Sequence, residues 1–442
     1  MKEIKISYLV LLALLSVLWL VADAVLTNSS AFFPFRASMV NYTGILGMGV
    51  MSVGMILSAR PVRLEPLLGG LDKMYRLHKW LGITGLVIVI LHWSWVKVPK
   101  WMVGWGWLER PVRAPASEQP LALFRFFQSQ RGLAEDVGEW AFYAAVALIV
   151  LALIKRFPYR YFFKTHRLLA MVYLVLVFHS LVLMKFSYWG EVIGPFIAVL
   201  MLAGTVAALV SLFRTVGHDR RAVGLIERLI HYPDNRVINV SVMLKDPWPG
   251  HEAGQFAFVT FDPHEGPHPF TLSSAWAGDG KLSFDIKGIG DYTDTLPATL
   301  KVGDGVKVEG PYGQFDFSSS KPCQIWVAGG IGITPFIARM RALAEGERRQ
   351  AITLFYSTRM PDEEFISNIR ALADRAKVQL RLLVTTKDGP LNAERLCQWV
   401  SEWKDADLWF CGPSSFGRAL RQNLVAKGLA TEDFHFELFD MR

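Results

Sequence analysis

The chain has 442 residues, of which 52% are hydrophobic, with a formal net charge of +8 and three cysteines. Together with a positive mean hydropathy, this excludes an ordinary soluble protein, and the length allows several domains. The basic excess lies mainly in loops flanking apolar segments with no nucleic-acid motif beside it, so nucleic acid is excluded and a lipid surface is expected. Cys323, Cys397 and Cys411 all fall in the second half, which predicts a reducing compartment and no disulfide framework.

Six apolar runs in the first half are each near the length a spanning helix needs: Ile6–Leu26, Ala37–Ser58, Tyr75–Val96, Val137–Ile154, Thr165–Lys185 and Val192–Phe213. Met1–Lys5 is too short for the charged region of a typical cleaved signal, so the first run is expected to be retained. Six spans put both termini on one side. Lys2 and Lys5, then Arg60, Arg63, Lys73 and Arg76, then Lys155, Arg156, Arg160, Lys164 and Arg167 mark that side as cytoplasmic. The Lys97–Asp136 connection also carries basic residues, but they are diluted over its length and offset by Glu109, Glu118, Glu135 and Asp136. Trp93, Trp95, Trp101, Trp105 and Trp107 crowd the outer end of the third span as an interfacial belt. The expectation is an integral protein of a plasma or bacterial inner membrane.

Four histidines sit inside these runs in two matched pairs, His78 with His92 fourteen residues on, and His166 with His179 thirteen residues on. Each spacing covers about 20 Å of helix, most of a hydrocarbon core about 30 Å thick. A lone membrane histidine is usually an interhelix contact. Four costly ionisable residues in two matched pairs point instead to two stacked bis-imidazole sites, the usual ligation of an electron-transfer haem. Thirteen residues do not return to the same helix face, so the fifth span is expected to bend, bulge or present its two rings at different angles.

After Phe213, short β-rich runs at Gly224–His231, Val237–Leu244, Gln255–Phe261, Lys281–Ile286 and Val306–Glu309 predict an antiparallel barrel. From Gln324 strands alternate with helices: Ile325–Ala328 then Ile337–Glu345, Ile352–Tyr356 then Phe365–Ala376, then Gln379–Val384 and Leu408–Cys411. That alternation predicts a doubly wound α/β lobe. The expected domains are 1–215, 216–319 and 320–442. Lys287–Thr293 places glycines before a predicted helix, a geometry suited to a pyrophosphate. Gly329, Gly330 and Gly332 follow an apolar strand, with Thr334 expected as N-cap and Pro335 at the first helical position, so that backbone approaches a dinucleotide phosphate. Cys411-Gly412-Pro413 ends another strand at the ligand-binding edge. Arg359, following Tyr356-Ser357-Thr358, offers a cationic fork to a 2′-phosphate and favours NADPH over NADH, while nearby Asp362 and Glu363 keep NADH open.

With the paired histidines, His268–Thr271, Gly290–Thr293, Gly329–Phe336 and Cys411–Pro413 in this order, the chain resembles the NADPH oxidase and ferric reductase superfamily over nearly its whole length. The resemblance implies six membrane helices with two b-type haems, a barrel binding FAD, and a ferredoxin-reductase-type lobe binding NADPH or NADH. It implies His78 with His166 at an inner haem and His92 with His179 at an outer one. It places His268, Pro269, Phe270, Thr271, Ser273 and Ser274 at the FAD, and Gly290, Tyr292 and Thr293 at its pyrophosphate. Glu437-Leu438-Phe439 resembles the family's acidic-x-aromatic ending, in which the ring covers the flavin, although Met441 and Arg442 follow here.

Two positions bear on the electron acceptor. Family oxidases commonly place a second histidine one turn beyond the outer ligand of the third helix, where this chain has Val96. Arg36 resembles their outer-haem arginine, but a haem propionate or the membrane edge would also suit it. Dioxygen giving superoxide is the expected acceptor; a ferric chelate or an extracytoplasmic protein is the alternative. A membrane receptor keeping a degenerate reductase lobe would need none of these cofactor motifs together.

Overall fold

The computed structural model describes residues 2–23, 31–110, 121–154, 156–213, 215–346 and 350–437. It divides into two compact units that meet in the chain at Val216–Gly217.

The first unit is helical: α1 (Lys2–Ala22), α2 (Phe32–Ser58), α3 (Leu71–Gly104), α4 (Ala122–Ser129), α5 (Arg131–Leu153), α6 (Tyr159–Leu183) and α7 (Ile193–Leu212). Among the described residues, six of these are long and apolar enough to cross a membrane, all but α4. Small residues let the helices approach. A side chain at Gly49 would strike Leu15, and one at Gly204 would strike the Tyr173 hydroxyl, which is hydrogen-bonded to Ser52 at 2.8 Å.

α3 runs eight residues beyond its expected end and passes through Pro99. Proline has no N–H to give the carbonyl four residues back, so that of Trp95 loses its helical partner. Arg36 of α2 replaces it, donating Nε to Trp95 O at 2.9 Å and Nη2 to Val96 O at 3.3 Å. Indole packing supports the same end: Trp93 stacks on Phe142 at 5.4 Å and meets Trp101 edge-on. Arg36 thus caps the backbone of α3, a role the sequence reading did not name. α4 was not expected; Phe124 stacks on Phe186 while Leu123 and Phe126 stay exposed, the face of an interfacial helix. No bulge occurs in α6, which is uninterrupted α-helix from Tyr159 to Leu183.

The second unit holds two sheets. β1 (Arg221–Tyr232), β2 (Val237–Leu244), β3 (Phe256–Thr260), β4 (His268–Thr271), β5 (Lys281–Lys287) and β6 (Gly305–Tyr312) form an antiparallel sheet in the order β4-β3-β6-β1-β2-β5. Its edges meet through the Leu272–Phe284 bridge, which closes a barrel around Val240, Val242, Ala257, Val259, Phe284 and Val308. β4 escapes pattern reading because Pro269 interrupts it, and the edge position tolerates the missing donor.

The α/β lobe follows. Its strands β7 (Cys323–Gly329), β8 (Ala351–Thr358), β9 (Gln379–Val384), β10 (Ala406–Cys411) and β11 (Phe434–Phe436) pair in parallel in the order β11-β10-β7-β8-β9, with α8 (Thr334–Glu345), α9 (Glu363–Arg375) and α10 (Ser414–Ala426) as crossovers. Strand order reverses between β7 and β10. The loops leaving those two strands therefore form the crevice where open α/β sheets bind ligands.

Candidate cofactor sites

In the helical unit the four histidines meet across α3 and α6. The rings of His78 and His166 lie 5.8 Å apart, and those of His92 and His179 lie 6.3 Å apart, each pair roughly perpendicular. Two imidazoles on one metal, with bonds of about 2 Å, place their centroids about 6 Å apart. Nδ1 of three rings is turned to a backbone carbonyl: His78 to Gly54 O at 2.9 Å, His92 to Val40 O at 3.1 Å and His179 to Ala134 O at 2.8 Å. This leaves Nε2 of these rings free to ligate, the arrangement usual for a metal-bound histidine. Gly138 makes room for the last of these, because a Cβ there would lie 2.0 Å from His179 Nδ1. The donor set, spacing and anchoring fit two bis-histidine haems.

In the barrel, β4 and the 287–293 segment come together. The His268 ring stacks on Tyr292 at 4.6 Å and on Phe270 at 6.3 Å. Burial pushes His268 down to about 4, so it is neutral near pH 7, and pushes the Tyr292 phenol up to about 12. Thr271 and Ser273 are buried beside them, and Pro269 is half-buried. Ser274 is committed to the barrel, its hydroxyl accepting from Ser283 N at 3.1 Å.

The glycine segment differs from expectation. It continues into a turn, and only a single helical turn follows, at Leu296–Thr299. Thr293 Oγ1 accepts from the N–H groups of Ile289 and Gly290 at 3.0 and 3.2 Å, so the loop is closed by its own hydroxyl rather than by a helix N-terminus. Gly290 borders open space.

In the lobe, close packing of two loops explains three of the four glycines expected at the nucleotide. A Cβ on Gly332 would lie 2.2 Å from Cys411 O, one on Gly329 2.7 Å from Pro413 Cδ, and one on Gly412 2.9 Å from Gly329 Cα. These three let the β7 and β10 loops pack together. Gly330, at φ +57°, opens onto free space and is the glycine a ligand can approach. Thr334 is not an N-cap: a 3-10 turn at Gly330–Ile333 runs directly into α8, placing Thr334 inside the helix with its hydroxyl donated to Ile331 O at 2.8 Å. Pro335 does occupy the first turn, and is buried. Cys411 is fully buried, and burial, then the Glu437 carboxylate, raises its thiol well above the usual range. Arg359 is exposed just past β8. Phe439 lies outside the described residues.

Sequence reading missed a buried polar group beneath Ser273. Arg341 of α8 donates Nη1 to Ser273 O at 2.7 Å and ties the lobe to the barrel. Nearby, Asp285 accepts from Asn239 Nδ2 at 2.6 Å, and burial raises its carboxyl above the ordinary range. The signal was an acid amid the apolar alternation of β5.

Residues 43–177 match the family described as ferric reductase like transmembrane component, a segment that includes His78, His92 and His166 and stops short of His179. Flavohemoprotein A of Dictyostelium discoideum is 29% identical over 155 residues, 34% of this chain and 39% of its own. The toluate 1,2-dioxygenase electron transfer component of Pseudomonas putida is 28% identical over 171 residues, 36% of this chain and 51% of its own. The chain thus spans about half or less of these curated relatives. Among solved structures, the FAD/NAD binding domain of nitric oxide dioxygenase from Vibrio cholerae has a TM-score of 0.44 at 20% identity, covering 49% of this chain and 98% of that one. Residues 43–177 are thus similar to a ferric reductase like transmembrane component, and about a third of the chain is similar to these two curated relatives.

Proposed function

We propose that this protein is a NAD(P)H-dependent oxidoreductase that carries electrons across a membrane, from a cytoplasmic flavin and nucleotide region (216–319 and 320–442) through a di-haem region (1–215). The observation that carries the reading is the two facing histidine pairs, 5.8 and 6.3 Å ring to ring, on the same chain as a FAD/NAD-binding domain. When bound, FAD supplies the change from two-electron hydride chemistry to single-electron steps, and bis-histidine haem supplies electron transfer with no open coordination position.

The chain's own residues bind, orient and exclude water. His78 with His166 holds the inner haem and His92 with His179 the outer, while the carbonyls of Gly54, Val40 and Ala134 fix ring orientation. His268, Phe270, Thr271, Ser273 and Tyr292 form the flavin wall, and Gly330 with the Cys411–Pro413 loop admits the nucleotide. No acid–base dyad is required.

Arg359 recognises a 2′-phosphate. Arg359→Ala is expected to raise KM for NADPH about tenfold or more and leave that for NADH nearly unchanged, the loss of one charge-assisted contact. Equal effects in steady-state assays with both nucleotides would reject the assignment.

The acceptor on the far side is dioxygen, giving superoxide, since an apolar molecule reaches a haem edge without a dedicated pocket. A second reading, reduction of a ferric chelate, is favoured by Arg36, whose guanidinium is engaged with the Trp95 and Val96 carbonyls. Adding NADPH to anaerobic membranes should produce reduced bis-histidine haem bands; their absence overturns the electron path. Cytochrome c reduction abolished by superoxide dismutase supports dioxygen. Dismutase-insensitive reduction with rapid anaerobic reduction of ferric citrate supports the chelate.

A further inference from the structure

We propose that the two haem sites differ in reduction potential, and that hydrogen bonding behind the histidines makes the His92/His179 site the lower of the two. The inference rests on the two-haem reading above and concerns how this chain's residues tune those sites.

The four imidazoles are not equally anchored. Behind His92, Nδ1 faces two acceptors, Val40 O at 3.1 Å and Thr43 Oγ1 at 3.1 Å. The Thr43 hydroxyl donates to Met39 O at 2.7 Å, so its oxygen is left to accept from the ring. Its partner His179 is anchored to Ala134 O at 2.8 Å. The other site has one anchor, His78 to Gly54 O at 2.9 Å. Nδ1 of His166 is buried and has no hydrogen-bond partner among the described residues. Its ring stacks on Phe162 instead, at 4.9 Å and 20°.

An acceptor at Nδ1–H draws the proton away from the ring and makes the imidazole a stronger donor through Nε2. A stronger donor favours ferric over ferrous iron and lowers the potential. Behind one site stand a His92 Nδ1–H shared between two acceptors and a His179 Nδ1–H with one, against a single anchored Nδ1–H at the other. With haems bound, the residues behind His78 and His166 would favour the ferrous state more than those behind His92 and His179, so the two sites would differ in potential.

The test is a potentiometric titration of the full-length, haem-loaded protein in detergent, followed in the visible bands. Two one-electron waves are expected. His92→Leu should delete the lower wave and His166→Leu the upper. Thr43→Val, which keeps both ligands, should raise only the lower wave, by about a fivefold change in ferrous-to-ferric ratio at fixed potential, as for one lost hydrogen bond; Thr43→Ser should restore it. A single coincident wave, loss of the upper wave in His92→Leu, or a Thr43→Val protein in which the lower wave stays put overturns the proposal. Protein without haem bands would instead sink the two-haem reading itself.

Discussion

His92→Leu and His179→Leu are each expected to halve the haem content per flavin while leaving NAD(P)H-to-FAD reduction intact. Each facing pair takes one ring from α3 and one from α6, so under the proposed assignment losing either ring would leave a haem with a single protein ligand. The remaining pair is about 20 Å away along the same helices and keeps its own anchors. Reduction by NADPH should then stop at one haem, and transfer to any outside acceptor should fall by about two orders of magnitude or more, because the terminal carrier is gone. Pyridine haemochrome content with flavin content measured on the same sample decides it. A variant that retains both haems would show that His92 and His179 do not share one.

Gly138→Ala should have nearly the same effect without touching a ligand. The added Cβ would lie 2.0 Å from His179 Nδ1 and 2.5 Å from Cε1, distances no real contact shows. Either α5 moves away, breaking the Ala134 carbonyl bond, or the imidazole rotates and withdraws Nε2. Overpacking of this kind costs about 1–3 kcal/mol in a well-packed interior. Here the ring's freedom to turn directs that cost onto the haem site. The His92/His179 haem should be lost or converted to a form with altered bands, with the His78/His166 haem unaffected. A Gly44→Ala control should be nearly silent, since its Cβ would meet His92 Cε1 at an ordinary 3.5 Å. Equal loss in both variants would point to general helix disruption instead.

Local pattern carried the architecture. Apolar runs long enough to cross a bilayer gave six spans, because an unpaired backbone group in lipid is too costly for anything but a full-length helix there. Alternation of period two gave five of the six barrel strands, and strand–helix alternation gave the parallel lobe with its glycine-rich turns. Spacing also marked the histidines as two pairs, since their positions along each helix are a matter of rise per residue.

What the sequence left open were the partners of polar groups. Arg36 was expected at the outer haem or the membrane edge, and the structure adds a further partner: Pro99, over sixty residues away, frees the Trp95 carbonyl that the guanidinium bonds. Thr334 and Thr293 were read as parts of ligand-binding helix starts, yet their hydroxyls satisfy nearby backbone instead, one donating to Ile331 O and the other closing the glycine loop. Of the four lobe glycines read as nucleotide contacts, Gly329, Gly332 and Gly412 are places where two loops touch, and Gly330 opens outward. Burial is written locally, in the period of apolar residues. Which leftover donor meets which leftover acceptor depends on segments far apart in the chain, and so only the tertiary structure decided it.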